Sequence, residues 1–243
     1  MVAEIINAEK SKDGAVKFAQ KNPDKDVTLN GVWRLWFEHP PAAKQKQFAH
    51  NPLTGPKTNP DHMFEIHPIS TLGDFDLSAN LTRVIGYKAK PNDATFKDYE
   101  TRMIESWKVT SDSVIIESKR AGHNYADFVI RLNESPRKIK KNEDKPRYMA
   151  QADVLDSDCS AIMSKGKAVV SGPRRMVFVE QDAEKVIGSA KPGATFRVMG
   201  IPRVNLERLT FYLNHPEQFN DKKVALPYEM IIIGAEAKTC KKK

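Results

Sequence analysis

Residues 27–40, VTLNGVWRLWFEHP, decide how this chain is read. Trp33, Leu35 and Phe37 alternate there with Arg34, Trp36 and Glu38, the period of two that marks a half-buried β-strand. HMFEIHPI, residues 62–69, repeats the pattern, with Phe64 and Ile66 on one face and Met63, Glu65 and His67 on the other. Between the two runs lies PPAAKQKQFAHNPLTGPKTNPD (40–61), 22 residues with five prolines. A loop of that length is uncommon inside a compact domain and is usually functional or disordered.

Working outward, LTRVIGYKA reads as a further strand, and a polar opening carries a short helix around GAVKFAQKNP before Pro23. NDATFKDYETRMIESWK changes period. Phe96, Tyr99, Met103, Ile104 and Trp107 fall on one helical stripe behind the cap candidates Asn92 and Asp93. SDSVIIESKRAGHNYADFVIRLN reads as a hairpin, two β-rich runs about KRAGHN. Residues 133–147, NESPRKIKKNEDKPR, hold six basic and three acidic residues with two prolines, the best domain boundary in the chain. Beyond it YMAQADVLD, KAVVSG, RRMVFVEQ, ATFRVMGIP and YEMIIIGAEA are strand-like, and DAEKVIGSA suits a short helix. NLERLTFYL fits either state: Leu206 and Leu209 suit a helix, Leu209, Phe211 and Leu213 a strand.

Many short strands with occasional helices argue for a mainly β protein with minor α, built as two small β-barrel-like domains of OB-fold type. The expected division is a polar segment 1–26, an elaborated barrel 27–134 carrying the Pro-rich loop, a basic linker 135–147, a second barrel 148–237 and a basic tail 238–243. GVWRLWFEHP followed by FEIHPI resembles a signature in a group of bacterial proteins of unassigned activity, in which GVW…EH precedes WEIHPVT. The resemblance covers about residues 27–72, with Phe64 and Ile69 in place of Trp and Val. It implies an OB-like barrel and brings no catalytic residue with it.

The 243 residues are 40% hydrophobic and 29% charged, which is globular composition and allows a sizeable core. The net charge of +8 makes anionic partners electrostatically favourable, although part of the excess lies in the terminal KTCKKK and in 133–147. Cys159 and Cys240 are too few for a disulfide framework and form no CxxC, and a single bond between them is left open. No window approaches the roughly 18 apolar residues of a membrane span. The opening MVAEIINAEKSKDG has no basic n-region and no long apolar h-region, which fits a cytoplasmic protein, or an exported one whose leader has been removed.

Four of the six histidines fall between positions 39 and 67. Residues two apart on a strand lie about 6.5–7 Å apart on one face, so Glu65 and His67 could share an ion. Glu38 joins that face if the strands pair, and His62, His39 and His50 are further ligands from the loop. Two carboxylates and an imidazole suit a divalent Mn²⁺, Fe²⁺ or Zn²⁺ that would activate water for hydrolysis. The competing account uses the same residues. Arg34 shares the face, so Arg34–Glu65 and Glu38–His67 could be cross-strand ion pairs. HExxH and paired CxxC are both absent.

Arg174, Arg197 and Arg203, with Arg175 and Arg208 near them, make the basic half of a groove for an anionic ligand or single-stranded nucleic acid. Phe178, Phe196, Phe211 and Tyr212 are the aromatic candidates for stacking. Trp36, beside Arg34 and Glu38, would suit an oligosaccharide at a barrel mouth if exposed. GxxxxGK[ST], GxGxxG and GxSxG are absent. The expectation is a binding module for a polar or anionic ligand, more plausibly non-catalytic. The competing readings are a metal-dependent hydrolase using Glu38, Glu65 and His67, and an assembly protein whose contact element is loop 40–61.

Overall fold

A computed structural model describes residues 2–6, 14–23, 25–37, 64–78, 91–110, 114–119, 122–139, 147–179, 183–218 and 224–240. Strands β1 (Val2–Ala3), β2 (Leu29–Leu35), β3 (Phe64–Leu72) and β4 (Phe75–Asp76) form one sheet, with helix α1 (Ala15–Lys21) between β1 and β2. Helix α2 (Asn92–Thr101) leads into β5 (Met103–Val109) and β6 (Val114–Ser118). Then come β7 (Ala126–Leu132), β8 (Arg137–Ile139), β9 (Arg147–Leu155), the small hairpin β10–β11 (Met163–Ser164, Lys167–Ala168) and β12 (Arg174–Phe178). A single π-turn (Ala183–Ile187) precedes β13 (Thr195–Val204), helix α3 (Leu206–Asn214), β14 (Val224–Ala225) and β15 (Tyr228–Ala237).

Five strands close a barrel in the order β7–β9–β12–β15–β13 and back to β7. Every neighbouring pair is antiparallel except β12 and β15, which run parallel. Alternation builds the interior: Phe128 and Ile130, Ala150 and Ala152, Met176 and Phe178, Met230 and Ile232 belong to one buried cluster. At the β-bulge between Met199 and Gly200, a Cβ on Gly200 would meet Met230 Cε at 3.0 Å and Phe128 Cε1 at 3.1 Å. A bare α-carbon there lets the barrel close tightly.

The opposite phase of the same strands makes a second cluster. Val177, Val179, Ile201, Ile231 and Ile233 pack with Val32 of β2 and with Ile6. The N-terminal sheet therefore covers the outer wall of the barrel at β12, β15 and β13. The β5–β6 sheet takes β14 as its third strand, so a late segment of the chain is built into an early one.

Three local expectations change. The stripe from Phe96 to Trp107 is helical only to Thr101. Arg102 turns extended, and Met103, Ile104 and Trp107 belong to β5. Residues 114–118 and 126–132 are both strands, yet they do not form a hairpin, because β6 pairs with β5 and β7 enters the barrel. The barrel thus draws its first strand from before the basic segment expected as a linker. NLERLTFYL resolves as a helix, because Asn205 caps it by accepting from the Arg208 N–H. Among the described residues the first half forms open sheets and closes no second barrel. Loop 40–61, LTRVIGYKA, residues 140–146 and the last three lysines lie outside the described residues.

Candidate functional site: a polar cleft and a buried ion cluster

The alternation of β2 holds only at its start, where Val32 and Arg34 are buried and Trp33 between them is half-buried. From Arg34 to Phe37 both faces are buried. Antiparallel register sets Arg34 opposite Glu65 on β3, with Trp33 opposite Ile66. Arg34, Glu65 and His67 are 0%, 1% and 1% exposed, which is unusual for three ionisable side chains.

Such burial is tolerable only if the charges are paired. Arg34 Nη1 donates to Glu65 Oε1, and Arg34 Nε donates to the Pro202 carbonyl of β13 at 2.8 Å. His67 Nδ1 lies 3.1 Å from Glu4 Oε2, and His67 Nε2 lies 2.9 Å from the Tyr125 hydroxyl. Burial lowers the His67 pKa, but hydrogen bonds to Glu4 and Glu65 outweigh it, and the imidazole titrates above its ordinary value. With His67 protonated, two cations face two carboxylates. The cluster is then electrically balanced.

Glu4, Glu65 and His67 present ligand atoms within 4.8 Å of one another, a donor set that could hold a metal. Arg34 argues against one. Its guanidinium touches Glu65 and comes within 3.3 Å of His67 Nδ1, so a fixed cation already stands where a divalent ion would. Glu38 and His62, the other expected ligands, lie outside the described residues, as do His39 and His50.

A second buried carboxylate lies in the barrel wall itself. Glu229 of β15, 3% exposed, accepts from Arg175 and from Arg203 Nε at 2.6 Å. Arg203 Nη1 in turn donates to the Trp33 carbonyl at 3.0 Å. Two neighbouring barrel positions, Pro202 and Arg203, thereby hold two neighbouring positions of β2. Arg203 serves as an interface clamp.

Arg174 stands at one mouth of the barrel, in a cleft of about 550 Å³ walled by α2, β9, β12, α3 and the start of β15. That volume lies within the usual range for small-molecule sites. Arg174 Nη2 donates to both oxygens of Glu100, 2.6 and 2.5 Å, and its guanidinium lies 5.3 Å over the Tyr228 ring. Tyr228 also donates to Glu100. Burial, and behind it the Glu100 carboxylate, push the Tyr228 phenol well above its ordinary value, so it stays a neutral donor. Arg174 is held by the fold and shapes the cleft.

Arg208 is different. It projects from the first turn of α3, 5.3 Å over Phe211 and 5.2 Å over Tyr212, with its Nε 3.3 Å from the Tyr212 hydroxyl. The two rings and the Tyr212 hydroxyl hold the guanidinium in place, and among the described residues no carboxylate pairs with it. The Gln151 amide and the Ser171 hydroxyl, which line the same cleft, also lack side-chain partners there.

Of the expected ligand-binding residues, Arg174, Arg175, Arg208 and Tyr212 border this cleft. Arg34 and Trp36 are not exposed: Arg34 is 0% exposed, and Trp36 is 1% exposed and packs edge-on to Tyr99 at 5.6 Å. Arg197 is exposed on the surface and pairs with Asp127 and Glu236. Sequence reasoning missed Glu4, Tyr125, Glu100 and Glu229, each of which reaches its partner across long chain separations that leave no local signal.

Comparison with protein-family models, with curated proteins and with solved structures returned no match to this chain. Among the described residues no helix is long and apolar enough to cross a membrane.

Proposed function

We propose that the chain is a binding module that holds a polar, anionic ligand in the cleft at the mouth of its barrel. The observation that carries this is Arg208, a guanidinium in cation–π contact with Phe211 and Tyr212 at the rim of a polar cleft and, among the described residues, not paired with a carboxylate. A planar fork in that setting suits a phosphate, sulfate or carboxylate bidentately. Gln151 and Ser171 supply further polar groups.

The barrel is OB-like on this reading. Its strand order, with the third and fifth strands parallel and a turn of helix between the third and fourth, supports that assignment. OB barrels bind oligonucleotides and oligosaccharides on the face of strands two and three and the loop before strand five. The cleft borders β9, β12 and α3, which occupy those places. The resemblance of residues 27–72 to the bacterial GVW…EH proteins points the same way. The Cys159–Cys240 bond fits an oxidising compartment.

Isothermal titration with inorganic pyrophosphate and with a short oligo-dT tests the reading. Binding that weakens at least tenfold in Arg208→Ala supports it, and equal affinity in that variant removes it. One observation favours the hydrolase alternative, the convergence of Glu4, Glu65 and His67. Metal content of protein purified without a His-tag or chelator separates the two. A stoichiometric metal that Glu65→Ala loses would move the function to that cluster.

A further inference from the structure

Away from the mouth cleft, a second cleft of about 640 Å³ is lined by Arg131 of β7, Lys238 just past β15, and both cysteines of the Cys159–Cys240 disulfide. We infer that this disulfide is a site of thiol–disulfide exchange with small thiols that carry a carboxylate.

Three observations converge on it. The cysteines are half-buried and open onto the cleft, so a small thiol reaches them. Arg131 and Lys238 form no ion pair among the described residues, while Asp158, the lining carboxylate, accepts from the N–H and hydroxyl of Ser160. Cys159 also lies in a turn, at φ of 68°, that is closed by its N–H donating to the Asp156 carbonyl at 2.8 Å, so the turn does not depend on the disulfide alone.

The step balances without an outside oxidant. The incoming thiolate attacks one sulfur of the pair, forming a mixed disulfide. The Cys159–Cys240 bond breaks, and its electron pair leaves on the other sulfur, which takes a proton from water. A second thiolate then attacks the small thiol's sulfur in that mixed disulfide and displaces the protein cysteine, which takes a proton, so the protein pair ends reduced and the two small thiols end as their own disulfide. Cationic neighbours concentrate an anionic thiol and stabilise the departing thiolate. The strand end stays in place during this, because the Lys238 N–H donates to the Thr195 carbonyl at 3.0 Å.

The test compares 3-mercaptopropionate with cysteamine, thiols of similar size and opposite charge, by intact mass of the whole protein after acid quench. Each rate is divided by that thiol's rate on bis(2-hydroxyethyl) disulfide, which removes intrinsic reactivity. The anionic thiol is expected to be favoured about tenfold at low salt. The preference should collapse toward unity at high salt and in Arg131→Gln/Lys238→Gln. Arg131→Gln alone serves if the double variant has an altered near-UV spectrum. A ratio at or below one in the native protein, a ratio that the substitutions leave unchanged, or two free thiols before any reductant is added would each overturn the inference.

Discussion

Arg34 and Glu65 stand directly opposite one another on β2 and β3, and their salt bridge is sealed between the N-terminal sheet and the barrel wall. Two charges removed from water are costly, so the pair is weak evidence for stability in itself. Its geometry defines an interface, because the same guanidinium reaches the Pro202 carbonyl of the barrel.

Removing one partner leaves the other charge buried alone. Glu65→Gln should therefore destabilise the protein by about 3–5 kcal/mol, read as a lowered urea midpoint. Replacing both charges, Arg34→Met with Glu65→Leu, should recover most of that loss, since buried pairs are often no better than apolar residues of like volume. A loss below about 1 kcal/mol for Glu65→Gln would mean that water reaches the pair.

His67 gives the cluster a pH dependence. Its folded pKa is raised above the ordinary 6.5. The stabilising contribution is then fully present below the unfolded value and is lost as pH rises through the folded one. Thermal midpoints measured from pH 6 to pH 9 should fall over that window in the native protein. His67→Gln should remove that part of the slope. A midpoint that rises with pH through the same window would reverse the assigned direction.

Gly31 tests the closeness of β2 and β3. A Cβ there would meet Ile66 Cγ2 and the Pro68 carbonyl oxygen at 2.5 Å, and Ile69 Cα at 3.0 Å. Backbone atoms cannot step aside as a side-chain end can. Gly31→Ala should cost about 1–3 kcal/mol with an unchanged m-value. A change under 0.5 kcal/mol would show that the two strands sit further apart than this.

The period of β2 and β3 was legible, while the burial of their charged face was not. Alternation reports that two faces differ, and hydrophobicity then assigns Trp33 and Phe64 to the core. Tertiary pairing overrode that assignment. Arg34 finds partners on β3 and β13, Glu4 and Tyr125 come to His67, and none of these is near in sequence. Helix α2 stops early for a related reason: the stripe through Ile104 also satisfies a strand once β6 and β14 are present to pair with it. The capping Asn205 was a local signal and could have decided α3 from sequence. Arg174 was found by its place among strand residues, whereas the role of Arg208 depends on stacking along one helix face, which its clustering with other arginines does not convey.

Binding at the barrel mouth is the claim on which the functional account rests. The most direct measurement is a ¹⁵N-correlation titration of the whole protein with inorganic pyrophosphate at low salt. Shifts confined to Gln151, Ser171, Arg208 and Tyr212, and lost in Arg208→Ala, are the predicted result. The absence of saturable shifts, or shifts that survive in Arg208→Ala, would contradict it.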